Sequence, residues 1–245
     1  MTEQDTQPGK PKRIALAMQG GGAIGAFQAG VLETLHQANI EVDACCGSSI
    51  GAINAAIYFG NTPSRRIDRL REFYDRVSVP GTAIRDQMLA FNGATMFGGG
   101  DFRRLLAEAD QSYAMGAGLP GFFTRRPAVP WTNHTGAPEL ASIMDLAPLY
   151  RTLERVCDFD ELNRSSAHVS VVASNVATGK AHYFDNRGGE LLAPMIVASG
   201  SLPPWFAAVH IDDGWFWDGS LVSAAPLHHL IETAPADVET TILPG

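Results

Sequence analysis

The sequence predicts an α/β fold with a parallel sheet, on the evidence of its first sixty residues. A short apolar run at 14–18 leads through a glycine-rich loop into a helical pattern over 23–37. A second apolar run at 40–46 is followed by a turn and an alanine-rich helical stretch over 52–59. This βαβα order is typical of strands that lie parallel and are connected by crossover helices.

The remaining elements are less regular and include one long loop. In chain order we expect helices over 64–77 and 101–109, a loop over 115–138, a helix over 148–156, a strand over 168–174, its hairpin partner over 181–184, a helix over 195–201 and a hairpin over 209–218 that turns at Asp213-Gly214. Loops this long are usually functional or disordered. Phe122, Phe123 and Trp131 in this loop either form a lipid-touching lid or attach the loop to the core.

The composition predicts one domain with a substantial core. The chain has 245 residues, of which 45% are hydrophobic and 18% charged, and it contains no repeat or linker. We expect a single domain over 14–245 after a disordered tail over 1–13. The tail lacks the apolar segment of a signal peptide, and no apolar run reaches the roughly 18 residues of a membrane span. These features favour a cytoplasmic protein.

Charge and cysteine content argue against several functions. The net charge is −8, and the basic pairs at 65–66 and 125–126 are too short to follow a phosphate backbone, so nucleic acid is not an expected partner. Cys45 and Cys46 are adjacent and Cys157 is alone, which gives neither a disulfide framework nor zinc-ligand spacing. We expect no metal and no cofactor.

The strongest chemical signal is the segment Gly-Ser-Ser-Ile-Gly at 47–51. It matches the Gly-x-Ser-x-Gly nucleophile elbow, in which a sharp strand-to-helix turn exposes the serine hydroxyl. The predicted strand before it and helix after it supply the required context. Ser49 is therefore the candidate nucleophile, and an ordinary turn with Ser48 or Ser49 as helix N-cap is the alternative.

The glycine-rich loop has two interpretations. Gly20, Gly21 and Gly22 lie between the first strand and its helix, where free N–H groups would stabilise an oxyanion beside Ser49. The same loop contains Gly20-x-Gly22-x-x-Gly25, the dinucleotide-binding fingerprint. That fingerprint requires an acidic residue at the end of the second strand, but here the acidic residues stand at its beginning and the elbow stands at its end.

The serine requires a base, and two candidates come from the C-terminal part. Asp218 ends a strand-like segment and precedes Gly219. His228 and His229 follow, and the order Ser–Asp–His matches the α/β-hydrolase triad. An aspartate in a β-turn and histidines at exposed positions are the alternatives without a catalytic role.

Taken together, three blocks resemble the patatin-like phospholipases. They are the loop at 19–25, the elbow at 47–52, and the segment from Ala198-Ser199 through Pro203 to Asp218-Gly219. The resemblance implies a three-layer α/β/α fold with a mainly parallel central sheet. It also implies a lipid acyl hydrolase, either a phospholipase A or a lipase-like esterase.

The resemblance also implies specific roles for site residues. Ser49 attacks the ester, Asp218 accepts its proton in a Ser–Asp dyad, and Gly20, Gly21 and Gly22 bind the oxyanion of a covalent acyl-enzyme reaction. No metal is needed, and the histidines lose their catalytic role. The implied partners are a lipid or acyl-ester substrate and, transiently, a membrane surface. A relative that keeps the fold but has lost turnover is a further alternative.

Three features depart from the family pattern. Ile24 stands where the family often has a basic residue, which weakens the case for phosphate-bearing substrates. The aspartate is followed by Gly219-Ser220 instead of Gly-Gly or Gly-Ala, and we expect this small serine to be tolerated. The sequence ends soon after Asp218, which indicates either a short member or a C-terminally truncated domain.

Overall fold

The computed structural model of the protein describes residues 13–79, 108–110, 112–127, 142–235 and 239–243. Its strands are β1 (Arg13–Met18), β2 (Glu41–Ser48), β3 (Thr124–Arg125), β4 (Met144–Asp145), β5 (His168–Asn175), β6 (Ala181–Asp185), β7 (Val209–Ile211), β8 (Gly214–Asp218) and β9 (Glu239–Leu243). Its helices of four residues or more include α1 (Gly25–Gln37), α2 (Ile50–Phe59), α3 (Arg66–Val77), α4 (Ala147–Val156), α5 (Phe159–Arg164), α6 (Ala193–Ser199), α7 (Ser220–Ser223) and α8 (Leu227–Thr233).

Seven strands form one mixed sheet in the order β7-β8-β5-β2-β1-β9, with β6 also paired to β5. The strands β9, β1, β2 and β5 run parallel, and β6, β8 and β7 are antiparallel to their neighbours. The predicted α/β class is confirmed. Within the parallel part, β1, α1 and β2 form the βαβ unit predicted from the sequence. The antiparallel strands β6, β7 and β8 belong to the two predicted hairpins.

Alternation along the strands divides the core between the two faces of the sheet. On β1, Leu16 and Met18 pack into the large cluster formed with α2, while Ala15 and Ala17 face the opposite side. There they meet Leu230 of α8. Because successive side chains of a strand point to opposite faces, one apolar run serves both helix layers.

Several boundaries differ from the sequence prediction. Strand β1 begins at Arg13, inside the predicted tail, and pairs there with Glu41. The second hairpin turns one residue early, with Asp212 in a left-handed conformation (φ 50°). Residues 115–117 of the predicted loop are helical, and Thr124–Arg125 forms β3.

Other predictions fall on residues that the structure does not describe. The tail over 1–12, most of the predicted helix over 101–109, and Trp131 lie outside the described residues.

Candidate active site

The elbow at 47–51 places Ser49 in a sharp turn between a strand and a helix. Strand β2 ends at Ser48 and α2 begins at Ile50, with Ser49 between them at φ 53° and ψ −121°. A positive φ is rare for a residue with a side chain and stores strain of about 1–3 kcal/mol. A Cβ on Gly51 would lie 2.2 Å from the Met18 carbonyl oxygen, so only glycine lets the turn pack against β1.

The sheet explains why Ser49 and Asp218 meet although 169 residues separate them. One edge of β5 pairs with β6, so both β2 and β8 must use its other edge. The parallel ladder with β2 ends where Ser48 pairs with Val172. The antiparallel ladder with β8 begins at the next residue, where Ala173 pairs with Asp218. The carboxyl ends of β2 and β8 therefore abut on one edge.

The two side chains are in direct contact. The Ser49 hydroxyl donates to Oδ2 of Asp218 at 2.8 Å. The other carboxylate oxygen, Oδ1, accepts from the Ser220 hydroxyl at 2.7 Å and from the Ser220 backbone N–H at 2.8 Å. Asp218 is only 2% exposed. Burial raises the pKa of its carboxyl, and the hydrogen bonds from Ser220 and Ser49 oppose that rise.

The buried end of α6 and the residues directly after it hold both halves of this pair. The Ser199 hydroxyl oxygen accepts the Ser49 backbone N–H at 3.0 Å, and the Ser199 carbonyl accepts the Gly219 N–H at 3.2 Å. The Ser201 carbonyl accepts the Asp218 N–H at 3.0 Å. The sequence placed Ser199 in a motif block, but no spacing or composition signal pointed to its contact with Ser49.

The glycine loop lies beside the serine, as predicted, but its three members differ. A Cβ on Gly20 would lie 3.1 Å from Cβ of Ser49, which shows how closely the loop approaches. The Gly20 N–H donates to the Ala224 carbonyl at 3.0 Å and is therefore occupied. Gly21 and Gly22 are exposed, and their N–H groups have no hydrogen-bond partner within the part of the chain that the structure describes.

Neither candidate histidine joins the pair. The His228 side chain is 88% exposed and lies 3.3 Å from Glu232. His229 stacks on Tyr183 with ring centroids 3.7 Å apart, and burial lowers its pKa most, with a further lowering from nearby His168. Among the described residues, neither histidine forms a hydrogen bond with Ser49 or Asp218. The Ser–Asp–His arrangement is not assembled.

The surroundings of the site bear on two further alternatives. Phe122 and Phe123 pack against Phe206, and Phe123 is 8% exposed, so both attach their loop to the core.

The acidic residues of the second strand bear on the dinucleotide-binding alternative. Glu41 and Asp43 lie at the amino end of β2, whereas the glycine loop follows the carboxyl end of its neighbour β1. The described residues contain no group of three or more side chains suited to hold a metal ion.

Comparison with known proteins identifies the family. The family model described as patatin-like phospholipase matches residues 16–231, which is most of the chain. The chain belongs to the patatin-like phospholipase family. The matched range includes the glycine loop, the elbow and the Asp218 turn.

Individual relatives of this patatin-like chain match over short stretches. Patatin-like phospholipase domain-containing protein 6 of Mus musculus is 36% identical over 99 residues, which is 40% of this chain and 7% of the mouse protein. Lysophospholipase nte1 of Aspergillus terreus is 45% identical over 47 residues, 19% of this chain and 3% of that protein. The chain thus spans only a small part of the length of these relatives.

A solved structure supports the fold of the patatin-like domain. VipD from Legionella pneumophila aligns with a TM-score of 0.52 and 15% identity, covering 95% of this chain and 49% of VipD.

No helix among the described residues is both long and apolar enough to cross a bilayer.

Proposed function

We propose that this protein is a serine acyl hydrolase of lipid esters that works through a Ser49–Asp218 dyad. The observation that carries the proposal is the 2.8 Å hydrogen bond between the Ser49 hydroxyl and a 2% exposed carboxylate. Membership of the patatin-like phospholipase family supports lipid acyl hydrolysis as the general activity. The histidines have no place in this mechanism.

In the first half-reaction Ser49 forms an acyl-enzyme. Its Oγ attacks the ester carbonyl carbon while its proton passes to Oδ2 of Asp218, along the hydrogen bond already present. The carbonyl π bond opens to an oxyanion, which the N–H groups of Gly21 and Gly22 stabilise together with the positive end of the α2 dipole. The tetrahedral intermediate collapses, the ester C–O bond breaks, and the leaving alkoxide takes the proton from Asp218.

The second half-reaction releases the fatty acid. Asp218 accepts a proton from a water molecule, whose oxygen attacks the acyl carbon. The new tetrahedral intermediate breaks the bond to Ser49 Oγ, which recovers its proton from Asp218. Gly20 does not donate to the oxyanion, because its N–H is already hydrogen-bonded to the Ala224 carbonyl. This narrows the predicted three-glycine oxyanion site to two residues.

Exposed apolar side chains support a lipid substrate. Ile24 (61% exposed) and Phe27 (59%) follow the glycine loop, and Leu221 (50%) and Val222 (40%) follow Asp218. The two segments adjoin at the hydrogen bond from Gly20 to Ala224. Large apolar side chains exposed next to a catalytic serine suit an acyl chain or the surface of a lipid aggregate. We propose that this surface contacts lipid during turnover.

Covalent labelling tests the proposed nucleophile. We expect a fluorophosphonate probe to label the wild type and the protein to hydrolyse a p-nitrophenyl acyl ester, and Ser49→Ala to do neither. Ser48→Ala is the matched control, because the Ser48 hydroxyl is buried without a hydrogen-bond partner. A Ser49→Ala protein that still turns over would refute the dyad. A folded wild type that neither labels nor hydrolyses would favour a non-catalytic relative, and saturable NAD binding would then favour the dinucleotide interpretation.

A further inference from the structure

The catalytic carboxylate carries a serine hydroxyl on each of its oxygens. Ser49 donates to Oδ2 at 2.8 Å, and Ser220 donates its hydroxyl to Oδ1 at 2.7 Å. The family pattern that the sequence resembles has glycine or alanine after Asp-Gly, and neither of those side chains has a hydroxyl. The second hydroxyl is therefore one that this chain has and that the pattern it resembles does not require.

We propose that Ser220 is a positioning residue that holds the Asp218 carboxylate in its ionised form and aims it at Ser49, and so extends activity to lower pH. This inference rests on the proposed function, because it requires Asp218 to act as the base. Ser220 does not touch the reacting carbonyl. It acts only through the carboxylate.

The geometry restricts rotation of the carboxylate. Oδ1 receives two hydrogen bonds from one residue, the hydroxyl at 2.7 Å and the backbone N–H at 2.8 Å. The Asp218 backbone is itself fixed by its N–H bond to Ser201 and by its carbonyl, which accepts the Ser174 hydroxyl at 2.7 Å. With Oδ1 fixed, Oδ2 remains directed at the Ser49 hydroxyl. Loss of the Ser220 hydroxyl leaves Oδ1 with the backbone donor alone.

The electrostatics act in the same direction. Burial raises the pKa of Asp218, and Ser220, through its side chain first and its backbone second, provides the two largest opposing contributions. A hydrogen bond donated to a carboxylate favours the charged form, which is the form that can accept the Ser49 proton. Without the hydroxyl, Asp218 would become protonated at a higher pH and lose activity there.

The causes of the shift in the pKa of Asp218 are its burial and the hydrogen bonds from Ser220 and Ser49, and none of them is a nearby charge. α6 and α7 contain no titratable side chain. On the neighbouring strands, His182 is separated from Asp218 by Ala173, which pairs with both, and its ring contacts Phe184 and Phe216. The His210 ring contacts Trp215. His168 stands at the far end of β5 from the pairing with Asp218. The acid limb of the rate profile should therefore report Asp218.

The test is the pH profile of kcat/KM on a soluble p-nitrophenyl ester. Ser220→Ala keeps the backbone donor and removes the hydroxyl, and we expect the acid-limb midpoint to rise by about one pH unit, since a hydrogen bond to a charged group has that order of strength. Ser220→Thr retains the hydroxyl and should restore the wild-type midpoint. Ser223→Ala removes a serine hydroxyl from the same short helix without touching Asp218, and should leave the midpoint unchanged.

The outcomes separate this inference from the proposed function. The midpoint does not depend on how much protein is active, so a partly unfolded Ser220→Ala preparation still gives an answer. An unchanged midpoint in Ser220→Ala, with Ser49→Ala inactive, would overturn the role of Ser220 and leave the dyad standing. Activity retained in Ser49→Ala would overturn the proposed function itself. A midpoint raised equally in Ser220→Thr would show that shape, and not the hydroxyl, matters.

Discussion

Replacing Ser199 with alanine should show whether its hydrogen bond to the Ser49 backbone supports turnover or only the stability of the fold. The Ser199 hydroxyl oxygen is the acceptor for the Ser49 N–H, and the residue is fully buried. A buried donor left without its acceptor costs about 1–3 kcal/mol. The strain of a positive φ is of the same size, about 1–3 kcal/mol. One hydrogen bond is therefore large enough to balance much of the strain at Ser49.

The expected result of Ser199→Ala is a lower kcat with little change in KM. If the competent elbow conformation loses about 1.4 kcal/mol relative to relaxed ones, kcat falls about tenfold. The melting temperature should fall by several degrees, at about 2–4 °C per kcal/mol for a chain of this size. Initial rates of hydrolysis of a soluble ester at varied concentration give kcat and KM, and thermal unfolding followed by circular dichroism gives the melting temperature.

A second buried serine provides the control for this experiment. Ser170 is 1% exposed and donates to the Cys45 carbonyl at 3.3 Å, away from the elbow. Ser170→Ala should lower the melting temperature but leave kcat unchanged. If Ser199→Ala keeps full kcat while its melting temperature falls as far as that of Ser170→Ala, the hydrogen bond to Ser49 is structural only, and the argument from strain is wrong.

Three further predictions follow from the site. Asp218→Asn should lower kcat by about 10²–10⁴-fold. It should also raise the melting temperature at neutral pH, because folding raises the pKa of Asp218 and the ionised carboxylate therefore destabilises the folded state above that pKa. An unchanged or lower melting temperature would contradict this argument. Ile24→Ser with Phe27→Ser should reduce hydrolysis of lipid vesicles several-fold more than hydrolysis of a soluble ester, and equal losses would exclude a lipid-contacting surface. Gly51→Ala should destabilise the protein by about 3 kcal/mol in urea unfolding, whereas Gly30→Ala, with open space around its Cβ, should stabilise α1 by about 0.5–1 kcal/mol.

Local sequence signals predicted the parts of the site that are built locally. The elbow around Ser49 needs a strand, a turn with small residues and a helix, and all three are contiguous in the chain. The position of Asp218 followed from a motif resemblance, and the hairpin before it from turn residues. Since parallel neighbours place their carboxyl ends on one edge, the glycine loop was also expected beside Ser49, and it lies there.

Contacts between distant segments were not predictable in the same way. The bond from Ser49 to Ser199 spans 150 residues, and nothing in either segment marks it. The occupied N–H of Gly20 depends on the path of the chain near Ala224, and for this reason our proposed oxyanion site keeps only Gly21 and Gly22 of the three predicted glycines. Strand β9 was missed because its pairing with β1 is decided by tertiary position.

The candidate site combines two features that are each unfavourable for the stability of the fold. Ser49 is held at a strained φ, and Asp218 carries a charge that burial disfavours. Both are maintained by hydrogen bonds with serines: the Ser199 hydroxyl accepts the Ser49 backbone N–H, and the Ser220 hydroxyl donates to the Asp218 carboxylate. In the proposed mechanism each bond offsets an energetic cost that the reaction requires, so a variant that removes the cost itself should be more stable and should lose turnover. Asp218→Asn is the variant in which that opposition should be most visible.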